Sequence, residues 1–495
     1  MMNAIGIDVG TTGLKAVAVS SEGEIVRQKT VRYPTRLAGL GAEQDARAWW
    51  QAATEAVPEV VAGEPVSGVA ITAQAPTLVA VGSDGEPLGA ALTWIDRRAR
   101  QEAEELDAAC EPTRNPPDSY FATAKLLWWV RNRPEEIENA HAILCANSFV
   151  AQRLTGEFTF DETTAGLFQG WDGKFDPALS GLVPLDLLPP ARPSMEVAGT
   201  VSHAGSEAAG VPEGTPVVHG GIDAVGAALE AGIFSVDDGL VEMTGFSTVI
   251  ITAAERGTYV PGMIHTRHGV GENDLILAAM VTAGAVTDWG MKLTGFDDPA
   301  AFDHNASDRA VPAKRPGRLL LIPAFAGERT PTWDATARGA IAGLDLDVDA
   351  GDLALAIYEG TALGLGDNFE RMEEVLGDLT PVRSVGGGSK SRAWTQIKAD
   401  VLGVPIEVPR MGHGAAAGAA MLAGMATELW PDLEAARALV AEKGTKFEPD
   451  PELNREYARR LKLYRDLQGM LPPITQALQT PEQRGQLPKT EEENK

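Results

Sequence analysis

The chain has 495 residues, 44% of them hydrophobic and 22% charged, which is the make-up of an ordinary globular protein too long for one compact core. Its 69 acidic and 42 basic side chains give a formal net charge of -27, which argues against nucleic acid or an anionic membrane as a standing partner. No apolar run nears the ~20 residues of a membrane-spanning helix, and Met1-Met2-Asn3-Ala4 lacks the features of a secretion signal, so a cytoplasmic protein is expected. Cys110 and Cys145 have neither metal-ligand spacing nor a disulfide framework and read as reduced thiols. Nucleotide binding stays open, because it needs only local N–H groups and a metal.

The segment Ile5-Gly6-Ile7-Asp8-Val9-Gly10-Thr11-Thr12-Gly13-Leu14-Lys15 and its apolar continuation to Val19 predict strand, tight turn, strand. Gly10 and Gly13 are expected at positive φ. Asp8, the two threonines and exposed amides are the parts of a phosphate cradle with a carboxylate for hydrated Mg²⁺, although an ordinary hairpin explains the same residues. A second hairpin follows at Ser21 to Glu24. The run Glu43-Gln44-Asp45 with Trp49-Trp50 opens an amphipathic helix ending before Val66, and Gly68 to Thr72 returns as a buried strand, which indicates a mixed α/β sheet. The loops Gln74-Ala75-Pro76-Thr77 and Thr93-Trp94-Ile95-Asp96-Arg97-Arg98 lie where ligands sit in such folds. Two readings stand for Asp96: a hydrogen bond to a polyol stacked on Trp94, or a helix cap paired with Arg98. Ser119-Tyr120-Phe121 leads into a helix whose tryptophans, Trp128 and Trp129, read as core.

Val217-Val218 reads as a buried strand, Gly220-Gly221 turns it, and Asp223 begins a helix of small residues. Asp223 is then a functional carboxylate in a strand-to-helix crevice or a complement to the helix dipole. Gly239 to Thr252 repeats the first hairpin pattern, with Thr244, Gly245, Ser247 and Thr248 at its turn, and so suggests a duplicated architecture with a cleft between the copies. Ala283-Gly284-Ala285 enters another helix, and the strand Leu319 to Pro323 leads into the polar loop Gly327-Glu328-Arg329-Thr330-Pro331. After a long helix from about Ala350 to Met372, the strand Val382 to Val385 runs into Gly386-Gly387-Gly388-Ser389-Lys390-Ser391. Three glycines at a strand-to-helix turn let backbone approach a flat or phosphorylated ligand. The small-residue helix Gly414 to Gly424 lies beneath an adenine, against another helix, or both. The expected division is 1–240 and 241–470, with a polar, fraying tail at 480–495.

In this order and at these separations, the motifs resemble the FGGY family of carbohydrate kinases, most closely its xylulokinase-like branch. The likeness runs from Ile5 to about Leu422. It implies two ribonuclease-H-like, actin-like ATPase domains around a central active-site cleft, with sugar held mainly by the first and ATP mainly by the second. Asp223 takes the place of the catalytic base, and Asp8 that of the carboxylate on Mg²⁺. Gly10, Thr11, Thr12, Lys15, Thr244, Gly245, Gly284, Gly386, Gly387, Gly388 and Ser391 are the expected nucleotide contacts. Gln74, Trp94, Asp96, Tyr120 and Asp223 are the expected sugar contacts. A pentulose such as xylulose is the first expectation for the acceptor, with erythritol, ribulose, gluconate and glycerol as alternatives. A non-catalytic sugar- or ATP-binding regulator is the rival class, and a homodimer is left open. Three departures stand out, the first two at acceptor contacts and the third at a phosphate-facing position. Gln74-Ala75-Pro76 stands where xylulokinases usually carry Gln-Met-His, Ala224 where Asn or Gln is common, and Gly245-Phe246-Ser247 where Gly-Thr-Ser is usual.

Overall fold

The computed structural model describes residues 2–109, 114–296, 298–313, 316–409, 414–440 and 444–478. The readings of Cys110 and of the tail at 480–495 lie outside the described residues, and Cys145 is a buried free thiol.

Period-two alternation builds the first sheet. In β1 (Asn3–Val9), Ile5, Ile7 and Val9 enter one core, while Ala4, Gly6 and Asp8 turn to the opposite face. β1 pairs antiparallel with β2 (Gly13–Ser20), and β2 with β3 (Ile25–Arg32). Neither Gly10 nor Gly13 has positive φ, contrary to expectation. Crowding explains the glycine at 13 instead, because a Cβ there would lie 2.5 Å from the Val31 carbonyl oxygen on β3. α1 (Ala46–Val61) starts later than the sequence suggested: Asp45 caps it by accepting the Arg47 N–H at 3.0 Å, and Glu43 and Gln44 belong to a short strand. β4 (Val66–Ala73) runs parallel to β1 on its other edge. The half continues through α2 (Arg100–Ala109), α3 (Ala122–Asn132), α4 (Ala146–Thr155), β5 (Val197–Thr200), β6 (Pro216–Val218), β7 (Gly221–Ile222) and α5 (Asp223–Glu230). The strand order is β5-β6-β4-β1-β2-β3, with β7 also on β4.

The second half repeats this plan with β8 (Leu240–Thr244), β9 (Thr248–Ala254), β10 (Ile264–Arg267), β11 (Asp274–Met280), α6 (Gly284–Thr294), α7 (Ala350–Leu376), β12 (Val382–Gly386), α8 (Arg392–Leu402), β13 (Ile406–Val408), α9 (Ala415–Ala426), β14 (Thr445–Phe447) and α10 (Pro451–Met470). Its order is β10-β11-β9-β8-β12-β13-β14. The central run β11-β9-β8-β12-β13 copies β3-β2-β1-β4-β6 in order and in direction of pairing, as a duplication requires.

Between the two sheets lie α5 and α9. Val225, Ala228, Ala419 and Leu422 of these helices share one core with Ala4, Val17, Ala70 and Val218 of the first sheet and Val241, Ile251 and Leu277 of the second. The helices touch backbone to backbone: a Cβ on Gly418 would lie 1.9 Å from the Gly226 carbonyl oxygen. α9 also meets β1, where a Cβ on Gly6 would lie 1.9 Å from the Ala416 oxygen. The small-residue helix therefore packs against another helix, and although it comes late in the sequence it covers the sheet of the first half. Outside, α1 and α4 cover the first sheet, and α7 and α8 cover the second. Among the described residues no helix is long and apolar enough to cross a membrane.

The α5–α9 contact leaves no room for a methyl group. Gly418→Ala is expected to lower unfolding free energy by about 2 kcal/mol, the scale of overpacking in a tight core. Urea denaturation reads this directly, and an unchanged midpoint would show that the helices separate at little cost.

Candidate active site

The ends of β1, β4 and α5 set two carboxylates side by side. Asp8, on the inner face of β1, is in register with Lys15 on β2 and Thr72 on β4, and the Thr72 hydroxyl donates to Asp8 Oδ1 at 3.2 Å. β7 pairs with Thr72 and Ala73, so α5 begins beside the same strand end and delivers Asp223 there. Gly220 makes that approach possible, with φ of 68° and a notional Cβ only 1.9 Å from the Ile71 oxygen. A supporting chain absent from the sequence reading holds the turn. Asp161 Oδ1 accepts from the Thr163 hydroxyl at 2.5 Å, and Thr163 Oγ1 accepts the Ile222 N–H at 3.0 Å. Its only sequence signal is an Asp capping the short helix at Glu162–Ala165.

Asp223 is open to solvent yet walled by protein, as the floor of a cleft is. That burial lifts its carboxyl to about 6, against the Ala224 N–H at 2.8 Å and the charge of Arg329. Asp8 is lifted to about 7, first by burial and then by the charge of Asp223, with Thr72 and Lys15 opposing. Two crowded carboxylates suit a cation. One of them with ligand oxygens and water matches the way Mg²⁺ is commonly held, and among the described residues no three His, Cys, Asp or Glu side chains gather to hold a metal alone.

One wall is aromatic and amide-rich. Gln74 is 2% exposed; its Nε2 donates to Gln44 Oε1 at 2.6 Å, and its own Oε1 is buried without a partner. Gln44 also accepts from Trp49 Nε1 at 2.9 Å and donates to the Thr11 carbonyl at 2.7 Å, tying this wall to the first hairpin. Trp94 Nε1 donates to Thr11 Oγ1 at 2.9 Å, and the Tyr120 hydroxyl donates to the Ala75 carbonyl at 2.9 Å. The Arg329 guanidinium lies over both rings, 5.1 Å from Trp94 and 5.6 Å from Tyr120, a placement that no sequence signal announced. Asp96 departs from the expected sugar contact. It is 1% exposed; Oδ2 accepts from the Ala42 N–H and from Arg98, and Oδ1 accepts the Arg98 N–H, so the carboxylate serves its own loop.

The two hairpin turns and the glycine run offer backbone more than side chains. In the first turn the Gly10 N–H donates to the Gly13 carbonyl at 3.0 Å, the Gly10 carbonyl accepts from the Tyr33 hydroxyl at 2.7 Å, and the Thr12 carbonyl accepts the Tyr33 N–H. Thr244 departs from the expected phosphate contact, because its position in β8 turns the hydroxyl into the outer core. There it donates to Glu242, lies 2.7 Å from Thr248 Oγ1 and accepts from Lys398 Nζ at 3.0 Å. Lys398 and Glu242 form a buried ion pair at 2.8 Å, and the Ser384 hydroxyl donates to the second Glu242 oxygen. Ser391 also departs from a ligand role: it caps α8 by accepting the Trp394 N–H at 3.0 Å and donates to Asp303. Gly245 and Gly387 remain exposed, Gly386 takes φ of 87°, and Gly388 packs on the Thr244 side chain. Gly284 lets the second hairpin sit on α6, since a Cβ there would lie 2.1 Å from the Gly245 oxygen. The Phe246 carbonyl accepts the N–H groups of Ala283 and Ala285 while its ring is 70% exposed.

Residues 3–229 match the N-terminal domain of the FGGY family of carbohydrate kinases, and residues 224–427 match the C-terminal domain. The chain belongs to this family, and its fold is that of the actin-like ATPases. The xylulose kinase of Escherichia coli (strain K12) is 28% identical over 493 residues, covering 95% of this chain and 99% of that relative. The xylulose kinase of Bacillus subtilis (strain 168) is 26% identical over 500 residues, covering 97% and 99%. Among solved structures, the xylulose kinase from Rhodospirillum rubrum aligns with a TM-score of 0.86 at 27% identity, over 96% of this chain and 100% of that one. The glycerol kinase of Plasmodium falciparum, solved with ADP, shares the fold with a TM-score of 0.84 at 21% identity, over 97% and 99%. The protein is a sugar phosphotransferase.

Two outcomes follow from the electrostatics. Asp8 and Asp223 hold protons in the folded state at pH values where unfolded carboxyls, near 3.8, have lost them. Their contribution to stability is therefore largest at low pH and is lost as pH rises from about 4 to 7. With divalent cations removed, Asp8→Asn should show a smaller fall in urea midpoint between pH 5 and pH 8 than the parent, and equal falls would refute the shift. Separately, Lys398→Met should cost about 3–5 kcal/mol by leaving Glu242 buried and unpaired, and adding Glu242→Gln should restore most of it. A double variant as unstable as the single would rule out that account.

Proposed function

We propose that this chain transfers the γ-phosphoryl group of ATP to a hydroxyl of a small sugar, acting in the cytoplasm. The observation that carries the proposal is the pair Asp8 and Asp223, two carboxyls raised by their own cleft, between a sugar-sized aromatic wall and turns of exposed glycine backbone. Asp223, poised near 6, is ionised at neutral pH and basic enough to accept the hydroxyl proton as attack proceeds. Asp8 would hold Mg²⁺, which when bound offsets the negative charge of the phosphates. The exposed backbone at Gly245, Gly386 and Gly387 lets phosphates approach without Cβ interference. The unpartnered Gln74 Oε1 is an acceptor for a sugar hydroxyl, and the Trp94 ring gives the carbon chain a flat face. Apposition of the two halves excludes water, which would otherwise take the phosphoryl group.

The named relatives make xylulose the first acceptor to try. ADP release from Mg-ATP should be stimulated by the acceptor, and Asp223→Ala should lower kcat by about 10²–10⁴-fold, the usual contribution of a positioned base, with the fold retained by circular dichroism. Sugar-independent hydrolysis that survives Asp223→Ala would sink this mechanism.

A further inference from the structure

Next to the aromatic wall the two halves line a half-open cavity of about 570 Å³, and four arginines are on its lining: Arg97, Arg100, Arg329 and Arg338. In a chain with 69 acidic and 42 basic side chains, that concentration of positive charge runs against composition. The acids nearby offset it only in part: the charge of Asp118 reaches Arg100 and Arg329, that of Glu328 reaches Arg329, and that of Asp334 reaches Arg100. Asp118 is engaged by Arg97 at 2.8 Å, and Glu328 is lifted by burial to about 7 while it accepts the N–H groups of Val281 and Arg329. Among the described residues no carboxylate lies within ion-pair distance of Arg100, Arg329 or Arg338. Arg329 is 6% exposed and its Nε has no hydrogen-bond partner; the Nε of Arg100 is likewise buried and unpartnered. Arg338 gives Nη1 to the carbonyls of Ala335 and Ala337 at 3.3 and 2.7 Å, so it too lacks an acid.

A desolvated cation without a counter-charge is costly, and guanidinium groups in a fork are suited to planar carboxylates. Arg329 links the cavity to the chemistry. Arg329 lies on its lining, over the Trp94 and Tyr120 rings, and its charge acts on Asp223. Meanwhile Ala75, Pro76 and Ala224 offer no side-chain hydrogen bond to a sugar, which leaves Gln74 to grip the hydroxyls and gives a contact elsewhere on the ligand more to do.

Resting on the kinase reading above, we propose that the acceptor is a sugar acid, a polyhydroxy chain with one hydroxyl at Asp223 and its carboxylate seated among Arg100, Arg329 and Arg338. This departs from the neutral pentulose suggested by the relatives' names. In the transfer step the acceptor oxygen bonds to the γ-phosphorus and the bond from that phosphorus to the β–γ bridging oxygen breaks. ADP departs, and the hydroxyl proton passes to Asp223. The carboxylate takes no part in bond making and fixes which hydroxyl is presented.

The test compares kcat/KM for D-xylonate, D-gluconate, D-xylulose and D-xylulose 5-phosphate, by ADP release from Mg-ATP, in the parent, Arg100→Gln and Arg338→Gln. Both arginines are half-buried at the cavity, so the variants probe charge without opening the core. Calorimetric binding of D-xylonate to Asp223→Asn supplies a readout without turnover. An aldonate should lead D-xylulose by about tenfold or more, and each arginine variant should raise the aldonate KM by about tenfold, more than that of D-xylulose, as loss of a charge-assisted hydrogen bond predicts. If D-xylulose leads and the variants affect both classes equally, the sugar-acid proposal falls and the kinase reading stands. A lead by D-xylulose 5-phosphate also overturns the carboxylate, in favour of a phosphorylated acceptor. D-xylonate binding with no turnover of any of the four compounds overturns the kinase reading while upholding the arginine seat; failure of D-xylonate to bind overturns the seat.

Discussion

The backbone contact between α5 and α9 sets the spacing of everything else. Because Gly226 and Gly418 let the helices touch without side chains between them, one helical layer separates the two sheets and both use it as a common core. Asp223 is the first residue of one of these helices, and Asp8 projects from the sheet face that they cover. The distance between the two carboxylates is thus fixed by packing, and the repulsion between them is sustained by the same core that gives the protein its stability.

Duplication produced two hairpins of one design, and the side chains have since divided the labour. Val9 and Leu14 are the last pair before the first turn, and Thr244 and Thr248 the last before the second, so Asp8 corresponds to Met243. One copy supplies a carboxylate on the inner face; the other places an apolar residue there and buries its polar groups on the outer face, in the Glu242–Lys398 pair. That pair braces the second turn from behind, where it is shielded from the cleft. The charge pattern follows the same division: two carboxyls raised by burial at the junction of the halves, and beside them a cavity lined by four arginines of which only Arg97 has an acid at ion-pair distance.

Local signals carried the reading of the fold a long way. The first hairpin, the strand and turn before Asp223, the second hairpin and the run at Gly386 to Gly388 all depend on period-two alternation and on turn residues, which act over a few positions. The duplication was legible for the same reason, through its two hairpins, whereas the order of strands in each sheet was not. Side-chain direction was not. Thr11 and Thr244 look alike in sequence, yet one lies in the turn itself and the other one position inside the strand, where the pleat faces it to the core. Asp96 illustrates a second limit, since an acid beside an arginine caps its own loop whenever geometry permits. Arg329 became visible only when segments more than two hundred residues apart came together, and the Asp161 chain when Thr163 met Ile222, 59 residues on, which no local pattern encodes.

The position of α9 in the chain has a consequence for biosynthesis. The first sheet is complete once β6 and β7 have been made, but the helix that closes its inner face begins at Ala415. As the polypeptide leaves the ribosome, Ala4, Val17, Ala70 and Val218 therefore wait, part-covered by α5 alone, through the synthesis of almost the whole second half. The interval makes this face the natural point of attention for chaperones and the part of the molecule most exposed to premature association. It also means that the two halves, separable on paper, reach their final form together.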